Sequence, residues 1–333
     1  MEYYELKKDE LIDLIDTFLL DKLNNEVYIV KKVPATSLLT VNRLDIGFKL
    51  YYLRNERKNC VISRQIYSED IRAQTLGTYK EYGNESKDSL VEYISTFDEL
   101  NSVMKTGQFD PSTSLIPLAN DGSILNGAHR VSSGIYNRKF VYVLETELNP
   151  YNIDQKYFRD RTVSESFIRR AVLEFVKYSP DTYVGFLWQS GENQWDTSFK
   201  KFRNVLYTAD YELSELGAYN LLIELYKHMD WVGSPKDDFK GIDPKVMECF
   251  PSGYKVRMVV FKGESLEAVQ GIKSEIREIC QIGYSSVHIT DNQEEAQRIL
   301  ELMLNENGFH FLNYARPYRF PGLVEKVSQN LGL

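Results

Sequence analysis

Cysteine is scarce in this chain, with three among 333 residues, at positions 60, 249 and 280. An odd number, spread this widely, makes a poor disulfide framework and offers no metal-ligand spacing. Free thiols point to a reducing cytoplasm. Histidine is nearly as scarce, with four residues. No apolar run approaches the length of a membrane span. The first twenty residues, "MEYYELKKDELIDLIDTFLL", are acidic and lack a basic start followed by an apolar block, so they do not read as a signal peptide. There is no basic excess either. A net charge of -8 argues against a general nucleic-acid binder. Neither the Walker "GxxxxGK[ST]" pattern nor the Rossmann "GxGxxG" pattern occurs, so the common nucleotide folds have no support.

What remains is an ordinary globular composition, 43% apolar, in a chain long enough for two domains. Leu11, Leu14, Ile15, Phe18 and Leu19 recur at helical spacing and predict an amphipathic first helix. "NEVYIVKKV" predicts a strand and "VNRLDIGFKLYYL" a helix carrying Arg43, Asp45 and Lys49. In "STFDELNSVMKTG", Thr96 and Glu99 have capping-box spacing and Gly107 suits a stop. "SLIPL", an "NDG" turn and "SILN" read as strand, turn and strand. "AHRVSSGIY" begins a helix and "KFVYVLE" a further strand. The character changes after Pro150, which suggests domains over 1–150 and 151–333. In the second, "TYVGFLW", "NVLYTA", "KVRMVVF" and "SSVHI" are strands set between helical stretches, an alternation expected of an α/β domain. The "GSPKDD" segment reads as a loop. Asp291 and Glu294 have capping spacing ahead of the last clear helical stripe.

The most informative stretch is "DGSILNGAHRVSSGIY", residues 121–136. A helix N-terminus presents unpaired backbone N–H groups and positive dipole potential, which together favour an anion. Glycine before the helix lets that anion approach closely. Arg130 can grip phosphate oxygens with two parallel hydrogen bonds, and His129 can donate another. The same residues would also serve as local caps or face water.

The order of elements shifts the balance toward the anion cradle. "FDELNSVMKTGQFDPSTSLIPL", "DGSILNGAHR" and "KFVYVLE" together resemble the ParB/sulfiredoxin-like superfamily over roughly residues 90–145. That resemblance implies a mixed α+β nucleotide-binding domain followed by the C-terminal α/β domain. It implies that Asn126, Gly127, Ala128, His129 and Arg130 hold nucleotide phosphates. Asn126 stands where the family often has aspartate. Ala128 stands where sulfiredoxins need cysteine, which argues against sulfinic-acid reduction. No helix-turn-helix follows, as it would in chromosome-partition ParB proteins. The free-serine-kinase branch fits best and implies ATP, or another nucleotide, with Mg²⁺ as cofactors and a small-molecule hydroxyl as acceptor. "RLDIGFKLYYL", the box and "SVHITD" together also resemble stand-alone proteins of bacterial surface-polysaccharide synthesis. The rival readings are a nucleotide-gated DNA-binding protein and a nucleotidyl- or glycosyl-phosphate transferase.

Phosphoryl transfer needs positioned phosphates and a carboxylate near the acceptor hydroxyl. Carboxylates ahead of the box are Asp45, Glu69, Asp70, Glu81 and Glu85. Asp45 is the first choice as base and Mg²⁺ ligand, with Arg43 and Lys49 beside it for an acidic substrate. A surface salt bridge between Asp45 and Lys49 is the alternative. Lys87 and Glu85 lie in the polar segment "YGNESKDS", where Lys87 would reach the nucleotide and Glu85 the substrate. In the second domain, His288 and Asp291 in "SSVHITDNQEE" are candidate substrate contacts, with Asp291 as a plain helix cap the competing reading.

Overall fold

A computed structural model describes residues 3–56, 60–81 and 87–315. The chain divides into two compact units, Met1–Ser179 and Pro180–Leu333. Among the described residues no helix is long and apolar enough to cross a membrane.

The first unit runs β1 (Tyr3–Lys7), α1 (Thr17–Leu20), β2 (Val27–Pro34), α2 (Asp45–Glu56), α3 (Val61–Gln74), α4 (Leu90–Thr106), β3 (Ile116–Leu118), α5 (Ala128–Tyr136), β4 (Phe140–Glu145), α6 (Gln155–Asp160) and α7 (Glu165–Lys177). Its four strands form one sheet in the order β1-β2-β4-β3. β1 with β2 and β2 with β4 are antiparallel, and β3 with β4 is parallel. Parallel neighbours cannot be joined by a hairpin, so the chain must cross over. α5 lies within that crossover. This is why the "NGAHR" box sits just beyond the end of β3.

Three expectations fail in this unit. The apolar stripe from Leu11 to Leu19 does not form one helix. Asp13 takes a left-handed φ of 66° and breaks it, leaving a single turn over Lys8–Leu11 and the four-residue α1. The apolar residues still point inward, and Leu11, Ile15 and Leu19 pack with Val30, Leu115 and Leu144. "SILN" is not a strand. Its contact with β3 is a single bridge, Leu118 to Ile124, closed by a tight turn in which the Ser123 N–H donates to Asp121 Oδ1 (2.9 Å). α4 also begins earlier than Thr96. Its cap is Ser89, whose Oγ accepts from the Glu92 N–H, while Glu92 Oε2 accepts from the Asp88 N–H. Gly107 stops it in the left-handed region, as expected.

α2 is the hub of the unit. Gly47 brings it against the backbone of α7, where a β-carbon would come 2.3 Å from the Ala171 carbonyl oxygen. Tyr52 on the same helix stacks with Tyr67 at 4.8 Å and donates to Asp98 on α4 (2.7 Å).

The second unit runs β5 (Thr182–Trp188), α8 (Trp195–Phe199), β6 (Val205–Glu212), α9 (Glu215–Tyr226), α10 (Ile242–Cys249), β7 (Lys255–Lys262), α11 (Leu266–Cys280), β8 (Val287–Ile289), α12 (Gln293–Met303) and α13 (Glu306–Tyr314). Its sheet order is β6-β7-β5-β8, and every pair is antiparallel. The alternation of strands and helices is present, but the parallel sheet of an α/β domain is not. The architecture is mixed α+β. Trp195 of α8 and Val269 and Ile276 of α11 cover one face of the sheet over Leu187, Val259 and Phe261. Asp291 does not cap α12. Asn292 does, its side chain accepting from the Glu295 N–H (2.9 Å). All three cysteines are free, and burial pushes the Cys249 thiol up to about 12.

Candidate functional site

The box is built around one glycine. Gly127 precedes α5 with φ of 88°, a left-handed conformation that L side chains rarely adopt. The Arg130 guanidinium folds back across it, and a β-carbon at 127 would come 2.9 Å from Arg130 Nη2. Arg130 Nη1 donates to Ser114 Oγ and to the Leu115 carbonyl (2.9 Å), which fixes the guanidinium. No carboxylate pairs with Arg130 among the described residues. Asn126 shapes the turn. Its Oδ1 accepts from the Gly127 N–H (2.6 Å) and its Nδ2 donates to the Asp16 carboxylate. No side chain caps α5.

These groups open on a cavity of about 330 Å³, lined by Asp16, Glu81, Lys87, Asn126, Gly127, His129 and Arg130 with Tyr93, Phe97 and Phe109. Lys87 pairs with Glu81 at 2.8 Å, and the Glu81 N–H donates to the Lys87 carbonyl (2.9 Å). Glu85 lies outside the described residues. Ala128 is buried and contributes only backbone.

His129 stands edge-on to Phe97 at 4.7 Å, with Nε2 2.8 Å from Tyr67 Oη. Burial, then the positive charges of Lys49 and Lys87, hold its pKa well below 6.5. It is a neutral imidazole, so it offers this cavity a hydrogen bond and no charge.

Asp45, expected as base and metal ligand, does not line the cavity. Arg43, Asp45, Lys49 and Asp70 form a buried network, with Asp45 and Asp70 fully enclosed. Arg43 grips Asp45 with two hydrogen bonds, 2.9 Å to Oδ1 and 2.8 Å to Oδ2, and donates also to the Ile124 carbonyl. Lys49 Nζ lies 2.7 Å from Asp70 and 3.4 Å from Asp45. Burial alone would raise the Asp45 carboxyl, but Arg43 and Lys49 hold it well below the usual carboxylate range. A carboxylate so paired accepts protons poorly. Among the described residues Asp70 is held by Lys49 and the Gln74 amide (2.6 Å). Burial pushes it up, Lys49 pulls it back and Asp45 adds to the rise, leaving it at about 6. The i,i+4 pair of Asp45 and Lys49 exists, but in the core and not at the surface. Glu69 is taken by Arg72 (2.7 Å).

No protein-family model, curated protein or solved structure matches this chain. The site must therefore be judged on its own geometry.

Sequence reasoning missed Asp16, Ser114 and Tyr67 and ranked Glu81 below Asp45. Asp16 is 110 positions from Asn126, and no local pattern joins them. Among the described residues, no three His, Cys, Asp or Glu side chains are grouped to hold a metal ion. His288 and Asp291 lie in the second unit and line another cavity there, of about 570 Å³. Asp291 pairs with Lys273 at 2.6 Å.

Proposed function

We propose that the first unit is a nucleotide-dependent phosphotransferase acting on a hydroxyl of a small molecule, with ATP the expected donor. One observation carries the reading. The uncapped start of α5, the carboxylate-free Arg130 and Lys87 all face one cavity that also holds carboxylates. The α5 N–H groups and Arg130 would hold phosphate oxygens, and His129 would add a neutral hydrogen bond. Resemblance to the ParB/sulfiredoxin-like kinases supports a nucleotide as source of those phosphates. The acceptor class is a sugar, polyol or amino acid, such as a precursor of a surface polysaccharide.

The base is better sought at Glu81 than at Asp45. Phosphate competing for Lys87 would loosen the Glu81–Lys87 pair and leave the Glu81 carboxylate to take the acceptor's proton. Mg²⁺ arriving with a nucleotide commonly uses only one or two protein carboxylates, and Asp16 is the other one on this wall.

Nucleotide-dependent thermal stabilisation, with Mg²⁺, of wild type and Arg130→Ala tests the binding step. A nucleotide at about 100 times its Kd should stabilise the wild type by about 2.7 kcal/mol and leave the variant unmoved. If ATP, ADP, CTP and GTP all fail to stabilise the wild type, the reading falls. Glu81→Gln should keep the stabilisation and lose phosphoryl transfer in an acceptor screen followed by phosphorus NMR.

A further inference from the structure

The second unit encloses its own cavity, and its walls are unlike those of the α5 site. Tyr226, Trp231 and Tyr284 supply rings, and Lys245, Lys273 and Arg277 supply cations. Two of the cations are already balanced. Lys273 pairs with Asp291 at 2.6 Å, and Lys245 lies 3.6 Å from Glu248 while donating to the Tyr284 carbonyl (3.1 Å). Arg277 is different. Its guanidinium lies 4.3 Å from the centre of the Tyr284 ring, and its buried Nε has no hydrogen-bond partner among the described residues. No carboxylate pairs with it there. Arg277 is therefore the cation on this wall whose charge no carboxylate balances among the described residues, which leaves it open to an anion in the cavity.

A chain of polar groups ends at the same cavity. His288 Nε2 lies 3.3 Å from Glu295 Oε1, close but off the line of a hydrogen bond, and Nδ1 lies 3.1 Å from Tyr226 Oη. Burial lowers the His288 pKa against the pull of Glu295, so the ring is neutral. Burial would raise Glu295, yet His288 and the Asp291 N–H hold it low and charged. A neutral ring beside a carboxylate turns its N–H toward the charge. Nε2 therefore carries the proton and Nδ1 accepts from the Tyr226 hydroxyl. Tyr226, which lines the cavity, then keeps acceptor capacity on its oxygen, suited to an O–H or N–H on a ligand.

We propose that this cavity is a ligand site for a flat-ringed molecule bearing one carboxylate or phosphate, its anion on Arg277 and its ring against Trp231 and Tyr226. The volume suits a small aromatic acid or a nucleoside monophosphate. The proposal is independent of the phosphotransferase reading.

Trp231 is 47% exposed, whereas Trp188 and Trp195 are core residues, so quenching of tryptophan fluorescence reports this cavity. The full chain is titrated with para-hydroxybenzoate and with AMP, and in parallel with para-hydroxybenzamide and adenosine, which keep the rings and lose the charge. Saturable quenching by one acid, and not by its neutral counterpart, is expected. Which acid binds identifies the source of the anion. Arg277→Gln should weaken that binding about tenfold or more, and Arg277→Lys should restore part of it. Arg130→Ala, in the other unit, should leave it unchanged. The proposal is overturned if neither acid quenches, if the neutral compounds bind equally well, or if AMP quenching disappears in Arg130→Ala. The comparison of charged with neutral probes uses the wild type alone, so it decides the matter even where an Arg277 variant folds poorly.

Discussion

Asp70→Asn tests the buried charge network, because two physical accounts of it predict opposite signs. Counting ion pairs, loss of Asp70 strips Lys49 of its nearer partner and should cost about 3–5 kcal/mol. Titration of Asp70 works in the opposite direction. Asp70 is raised from 3.8 to about 6 in the folded protein. A carboxyl that holds its proton more tightly when folded makes the fold most stable at low pH, and that stability is lost as pH rises from about 4 to about 6. At about 1.36 kcal/mol per pH unit the loss is about 3 kcal/mol. An asparagine cannot ionise, so the variant should escape it. The amide also fits. Its Oδ1 can keep the Lys49 hydrogen bond, and a flip of the Gln74 amide would let the new NH₂ donate to Gln74 Oε1. Urea unfolding of wild type and variant, followed by far-UV circular dichroism from pH 4 to pH 8, measures the difference in stability. That difference should move by about 3 kcal/mol in the variant's favour across the range. Its change with pH is the diagnostic quantity, since any constant packing cost drops out. A difference that stays flat, or one that turns against the variant as pH rises, refutes the reasoning.

Two further outcomes follow from the same unit. Gly47→Ala should destabilise by about 3 kcal/mol in thermal or urea unfolding, because its β-carbon meets the Ala171 carbonyl and neither helix backbone can yield alone; in an exposed helix the same change would gain about 1 kcal/mol. His129 takes up a proton on unfolding that it refuses when folded, so its contribution is present above 6.5 and falls away as pH drops below it. His129→Gln should remove that slope, which in the wild type partly offsets the opposite slope of Asp70.

Local pattern carried some elements nearly intact. "AHRVSSGIY" is α5, Ala128–Tyr136, and "TYVGFLW" is β5, Thr182–Trp188. The first has a clear helical stripe and the second is a short apolar run suited to a buried strand, so tertiary context had little to override. The opening helix failed because apolar spacing reports which residues are buried, not what path the chain takes between them. Leu11, Ile15 and Leu19 reach the core through a break at Asp13. The direction of the second sheet was hidden because an intervening helix can return the chain either way. At the box, Gly127 and Arg130 were legible as neighbours three apart. The burial of Asp45 was not, since an i,i+4 pair reads the same on a surface as in a core. The network it joins reaches through Lys49 to Asp70, 25 positions along, which no spacing rule connects to it.

The tie between Gly47 and Ala171 also bears on how the chain comes off the ribosome. α2 is made early, but the surface it packs against belongs to α7, near the end of the first unit. Until α7 leaves the exit tunnel, the face of α2 around Gly47 has nothing to pack against. Nearly the whole first unit must therefore emerge before it can close. Synthesis of Pro180–Leu333 then takes roughly 8–30 s at about 5–20 residues per second. The first unit can therefore close while Pro180–Leu333 is still being made.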